Sequence, residues 1–207
     1  MVGADVGGNV ECRAELSAVS GHRGKGWEVQ LDVWHDAYRR EQLAWIQHLD
    51  APFKQVGALR PDNTFLAVRS AQGPPDYVGV VHSQPHGVPV VFDAKEAKKK
   101  RWSFGLLHDH QARDLSANDL TGFSFIALML DGAPWVVPWS ALSPMWWAWR
   151  RKKLKKASLT MADAEDIGLP MSVNDCCLTM DKNCGAECGW IPAVRSFCVD
   201  RFGGPHE

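Results

Sequence analysis

Residues 76–96 read DYVGVVHSQPHGVPVVFDAKE, two apolar runs joined by a polar, glycine-containing link, and their reading decides the fold. DYVGVVH and VPVVFDAKE each have strand character, and SQPHG supplies a five-residue hairpin connection. Successive strand residues point to opposite faces, so Asp93 and Lys95 project together while Ala94 points away. Asp76 opens the first strand and Asp93 closes the second, so an antiparallel hairpin brings both carboxylates to one edge. Asp93 beside Lys95 taken alone reads as a surface ion pair worth under ~1 kcal/mol. Two facing carboxylates change that reading. They repel one another, and a divalent cation removes the penalty.

Working outward from the hairpin, Trp27, Leu31, Trp34, Tyr38, Trp45 and Leu49 recur at helical steps, predicting one amphipathic helix from Trp27 to Leu49 with Glu28 beside its buried stripe. Residues 51–75 read as an extended excursion with a weak strand at TFLAV. LLHDHQARDLSAND (106–119) has helical spacing and should pack near the strand ends. GFSFIALML and APWVVPW are two further strands, joined by the strong turn signal Asp131-Gly132. SALSPMWWAWRRKKLKK predicts a helix, apolar first and basic after, with Pro144 near its start. From Ala157 onward no periodicity stands out. The order implies an α/β (α+β) fold, a small mixed sheet flanked by helices. The expected division is a poorly ordered segment 1–23, a catalytic domain 24–156 and a Cys-containing extension 157–207 of unknown role.

The 207 residues suffice for one good core, and ten Trp are many for this length. The net charge of −1 conceals basic runs at Lys98-Lys99-Lys100-Arg101 and Arg150–Lys156. Such patches in a neutral chain suit a polyanion on one face; solvated surface is the plainer alternative. No stretch approaches eighteen apolar residues, and the N-terminus lacks signal-peptide character, so the expectation is a cytoplasmic, nucleoid-associated protein. Five of six Cys fall between Cys176 and Cys198. Their spacing does not fit paired C-x₂-C ligands, which leaves free or buried thiols ahead of a structural zinc. MWWAW reads as core and dimer packing, with stacking on unpaired bases as the minor reading. His108 and His110, two apart, should not share a helical face, which argues against a joint metal site.

The Asp76, Asp93 and Lys95 pattern, with a helix Glu upstream and a helix Gln downstream, resembles the PD-(D/E)XK nucleases. Within them the chain resembles the RecU-type Holliday junction resolvases, closest from Arg23 to about Arg150. The carrying stretches are RGKGWE, DYVGVV, VVFDAKEAKKKRWSFGLLHDHQ and GFSFIALML. The resemblance implies a restriction-endonuclease-like fold and a hydrolase of DNA recombination and repair. It implies a catalytic set of Glu28, Asp76, Asp93, Lys95 and Gln111, with Mg²⁺ (or Mn²⁺) on Asp76, Asp93 and Glu28. It further implies a homodimer cutting branched DNA, with a recombination helicase as candidate partner. Arg23, Lys25, Lys98, Lys99, Lys100 and Arg101 are the expected DNA contacts. Relatives mostly carry Glu where this chain has Asp93, and their basic stalk is represented only by Lys54, Arg60 and Arg69. Duplex cleavage by the same fold, and a DNA-binding module without chemistry, are the competing readings.

Overall fold

The computed structural model describes residues 25–50, 53–56, 66–69, 73–82, 87–172 and 188–195. Helix α1 (Lys25–Arg40) leads into strand β1 (Ala44–His48), and β2 (Phe53–Val56) and β3 (Leu66–Arg69) form an antiparallel pair of their own. Strands β4 (Tyr77–Val81) and β5 (Val88–Ala97) are the antiparallel hairpin expected from the sequence. A short β6 (Arg101–Ser103) and a 3₁₀ turn (Phe104–Leu106) precede helix α2 (Asp109–Asn118). Then follow β7 (Phe123–Leu130), β8 (Ala133–Pro138), α3 (Trp139–Arg150), β9 (Ser158–Thr160), α4 (Met161–Ile167) and β10 (Leu169–Pro170).

The main sheet is six-stranded and mixed, in the order β1-β4-β5-β7-β8-β10. Its central pair, β5 and β7, runs parallel across a connection that contains α2, while the other neighbours are antiparallel. Strand β7 is buried on both faces, as an inner strand between two helical layers must be. Phe123, Phe125 and Ala127 join one core with Trp27, Leu31, Trp34 and Tyr38 of α1. Ile126, Leu128 and Leu130 join a second with Ala112 and Leu115 of α2 and Leu142 and Trp146 of α3. On β5, Phe92 and Ala94 face the α1 core, whereas Val91 and Ala97 pack on the α2 core. By strand alternation Asp93 and Lys95 share the α2 side.

Several expectations need correction. The predicted helix from Trp27 to Leu49 stops at Arg40, and residues 44–48 form the edge strand β1. The chain turns at Gln42, whose φ of 56° is left-handed, without the Gly or Pro that would mark the turn in sequence. Trp45 therefore leaves the helix stripe and stands 49% exposed on β1. Residues 51–75 hold two described strands instead of one. Helix α3 begins at Trp139, so Pro144 is interior to it. The basic tail lies outside the helix, because Lys152 takes a left-handed φ of 57° and closes its C-terminus. Asp131 (φ 52°) and Gly132 (φ 83°) make the tight turn expected between β7 and β8.

The region after Ala157, featureless in sequence, is packed into both cores. Leu159 of β9 and Ala164 of α4 enter the α2 core, and Trp190, Ile191 and Val194 enter the α1 core. The Tyr38 hydroxyl donates to the Cys188 carbonyl (2.7 Å) and accepts from the Trp190 amide (3.0 Å). The Trp190 indole donates to Nε2 of His35 (3.1 Å), which leaves that ring's proton on Nδ1. Burial in this aromatic cage pushes the His35 pKa down to about 3, so the ring is neutral. Gly189 (φ 82°) lies where an added Cβ would strike the Tyr38 hydroxyl and the Trp34 ring. Cys188 is buried in the α1 core; Cys12, Cys176, Cys177, Cys184 and Cys198, and with them the zinc question, lie outside the described residues, as does the segment 1–23.

Gly189→Ala should therefore lower the unfolding free energy by roughly 2 kcal/mol or more, combining left-handed strain with overpacking. Urea denaturation read by far-UV circular dichroism checks this. Near-wild-type stability would show that the 188–195 segment does not complete the α1 core.

Candidate active site

The register of the β4–β5 hairpin pairs Tyr77 with Phe92, which sets Asp76, just before β4, opposite Asp93 where their ladder ends; Asp93 does not close β5 as expected, because the strand runs on to Ala97 against β7. The two aspartates clasp each other's strands. The Asp76 amide donates to Asp93 Oδ1 (3.1 Å), and the Ala94 amide donates to Asp76 Oδ2 (2.9 Å). Lys95 Nζ donates to Asp76 Oδ2 (3.4 Å) and stands 3.9 Å from Asp93 Oδ1. From α2, Gln111 Nε2 donates to the same Asp93 oxygen (3.0 Å). Gln111 is itself fixed, because its Oε1 accepts from the His108 amide (3.1 Å) at the helix start. One polar side chain thus ties the beginning of α2 to the acid on β5.

The second oxygen of Asp93 is treated differently. Asp93 is 0% exposed, and its Oδ2 has no hydrogen-bond partner among the described residues. Burial is the main cause that pushes the Asp93 pKa up to about 7; Lys95 opposes the rise and Asp76 adds to it. Below neutrality the group therefore holds a proton unless a cation replaces it. Glu28, in the first turn of α1, lies within electrostatic reach. Partial burial raises its pKa first, and Asp76 next. The Tyr77 hydroxyl donates to Asp32 Oδ1 (3.0 Å) and lies 3.3 Å from the Glu28 carbonyl, docking α1 on the strand that carries the site.

The donor set fits a hard divalent ion. Two carboxylates at one strand edge, one with a buried and unpartnered oxygen, match the way Mg²⁺ is held by one or two carboxylates with water and phosphate completing its shell. Among the described residues no group of three or more His, Cys, Asp or Glu side chains converges into a closed metal cage. An ion here would accordingly share its coordination with solvent or substrate.

A family model described as Recombination protein U matches residues 22–177, three-quarters of the chain. The chain belongs to the Recombination protein U family. This is the group of Holliday junction resolvases whose motifs the sequence resembles, and the match runs through every strand of the main sheet. No curated protein sequence matches the chain. Among solved structures, the chain is similar to Hjc, a Holliday junction resolvase of Archaeoglobus fulgidus, at 14% identity and a TM-score of 0.39, over 71% of this chain and 95% of that one. So distant a likeness assigns no role to any residue of this Recombination protein U family member.

The structure brings Asp76, Asp93, Lys95 and Gln111 together and leaves Glu28 within electrostatic reach of Asp76 and Lys95, with no direct side-chain bond to them. Lys98, Lys99, Lys100 and Arg101 are exposed just after β5. Because β6 pairs with β9, and the Met161 amide bonds the Lys100 carbonyl, this run and the one ending at Lys156 lie on neighbouring chain segments. Arg23 and the Lys25 side chain lie outside the described residues. Sequence reasoning missed His48, having placed it in a helix. It stacks on Tyr77 (4.5 Å between ring centres), with Nδ1 3.4 Å from Asp32. His108 and His110, expected to point apart, have parallel rings 5.6 Å between centres, because His108 caps the helix instead of lying inside it.

An unpaired buried acid is costly, and the sign of that cost can be tested. The folded Asp93 binds a proton that the unfolded chain releases above about pH 3.8. Its favourable contribution is present below that pH and is lost as the pH rises through about 7. At pH 8 without divalent ions, Asp93→Asn should raise the unfolding free energy by on the order of a few kcal/mol, and the gain should shrink toward pH 5. Urea melts at both pH values check this. A loss of stability at pH 8 would mean that the acid is satisfied without a cation.

Proposed function

We propose that this chain is a divalent-metal-dependent endodeoxyribonuclease that resolves four-way DNA junctions as a homodimer. Asp76 and Asp93 would hold Mg²⁺ or Mn²⁺, with Glu28 as a further carboxylate. The observation that carries this reading is Asp93, fully buried beside Asp76 and Lys95 with one carboxylate oxygen unpartnered. Family membership supports the junction as substrate.

In this reading the bound ion supplies charge neutralisation and a water of lowered pKa. The protein's own side chains do the rest. Lys95, anchored by Asp76, presents its ammonium where negative charge develops on the phosphodiester in the transition state. Gln111 holds Asp93 Oδ1, so the other oxygen keeps one orientation. The clasp between Asp76 and the Ala94 amide keeps the two acids in register without a bound ion. The exposed run Lys98–Arg101 would meet the DNA backbone next to the acids. Two subunits related by a two-fold axis suit a junction that must be nicked symmetrically on two strands. Because residues 158–172 and 188–195 pack into the same cores, the nuclease domain in this proposal extends to at least residue 195.

The test is cleavage of a synthetic mobile four-way junction against matched linear duplex, with Mg²⁺. Paired symmetric nicks confined to the junction, reduced roughly 10²–10³-fold in Asp93→Ala and Lys95→Ala, are expected, the size being that of losing transition-state charge stabilisation. Equal cutting of duplex would make the protein a general endonuclease. Tight binding without cutting under any divalent ion would leave it a DNA-binding module. Replacing Lys98, Lys99 and Lys100 by Ala should reduce the slope of log affinity against log salt by about one unit for each phosphate no longer neutralised. Filter binding between 50 and 200 mM salt, roughly the range over which such charges dominate, measures it. An unchanged slope would place the backbone contacts elsewhere.

A further inference from the structure

Next to the acids lies a cavity that the proposed chemistry does not use. It has a volume of about 400 Å³ and is formed where three elements meet: the end of the 3₁₀ turn, the start of α2 and the end of α3. Its walls include Leu107, His108, Asp109, His110, Trp149 and Arg150. The two imidazoles lie parallel within 10°, their ring centres 5.6 Å apart. Trp146 and Trp139 of the same helix are fully buried, but Trp149 is only half-buried, wedged against Phe104 and Trp146 by edge-on contacts at 5.9 and 6.1 Å. At the mouth, Arg150 makes a bidentate pair with Asp109 (2.6 and 2.8 Å). Both partners are substantially exposed, and the pair occupies only part of the guanidinium, which keeps further N–H donors open to a second oxyanion.

This combination has a chemical preference. A concavity with an indole and two imidazoles on its walls and an arginine at its rim suits a flat heteroaromatic group attached to a phosphate. A phosphate on an intact duplex lies on the outside of the helix and needs no cavity. A base turned out of the stack does. The cavity is also one side chain from the acids, because Gln111 bridges the His108 amide and Asp93 Oδ1.

We propose that this cavity binds one unpaired nucleotide of the branched DNA, adjoining the cleaved phosphodiester, with its base against Trp149 and the His108–His110 pair and its phosphate on Arg150. The inference rests on the junction-cleavage reading and adds to it a reason for acting where bases are free to leave the stack. It also gives half-buried Trp149 a task distinct from that of the buried tryptophans of α3.

The experiment uses the full chain, in Mg²⁺-free buffer, with four-way junctions carrying a single 2-aminopurine at successive positions on either side of the cut. A second arm uses a single-stranded trinucleotide with a central 2-aminopurine. The wild type should change the probe's fluorescence lifetime at one or two junction positions, and quench the trinucleotide. Trp149→Ala and His110→Ala should each reduce both signals at least threefold, while Trp149→Phe, which keeps a flat ring, should retain them. A junction that is bound with no probe response at any position, and is cut once Mg²⁺ is added, would overturn the cavity proposal and leave the nuclease reading standing. If no junction is cut, the trinucleotide still decides. Quenching abolished by Trp149→Ala upholds the cavity as a nucleotide site, and its absence in the wild type removes it.

Discussion

The structure is organised around a carboxylate in a place where a carboxylate is costly. Asp93 sits within an inner strand with no solvent exposure, and among the described residues only one of its oxygens has protein partners. Three elements converge to hold that oxygen or its neighbours: β4 through the Asp76 amide, β5 through Lys95, and α2 through Gln111. Such convergence orients the group without neutralising it. Lys95 supplies one positive charge against two aspartates, so a deficit of charge is built into the site. Folded proteins tolerate such deficits mainly where a ligand makes them good.

The surrounding architecture keeps that arrangement stiff. Aromatic rings run from His48 through Tyr77 and Phe92 to Phe125 as a stack with centre distances of 4.5, 4.8 and 4.4 Å, crossing the sheet beside the strands that carry Asp76 and Asp93. Trp190 closes that stack from the C-terminal side, and its bond to neutral His35 ties it to α1. The position of α1 decides where Glu28 lies relative to Asp76. Residues 188–195 thus bear on the candidate site although they contribute no side chain to it.

Much of this is legible from residues alone. The alternation in DYVGVV and VPVVFDAKE, with Asp131-Gly132 downstream, locates the central strands and the edge at which Asp76, Asp93 and Lys95 meet. What escapes such reading does so for identifiable reasons. Strand β1 continues the spacing of α1 in its apolar residues, and the break at Gln42 carries no turn residue, so the spacing puts His48 in a helix and hides its place beside Tyr77. Strands β9 and β10 are three and two residues long, too short for any periodicity to show. Trp190 belongs to the core through long-range bonds to Tyr38 and His35 and ring contacts with Phe92 and Phe125, which no local pattern announces. The cavity at the start of α2 exists because α3 returns to it in space.

The most direct measurement is calorimetric titration of Mg²⁺, and of Mn²⁺, into the wild type and Asp93→Asn at pH 6.5 in two buffers of different ionisation enthalpy. If Asp93 is an acid waiting for a cation, binding should release close to one proton, and the asparagine variant should lose both the release and most of the affinity. Metal binding of equal strength in both proteins with no proton released would contradict that account, and would place the metal away from Asp93.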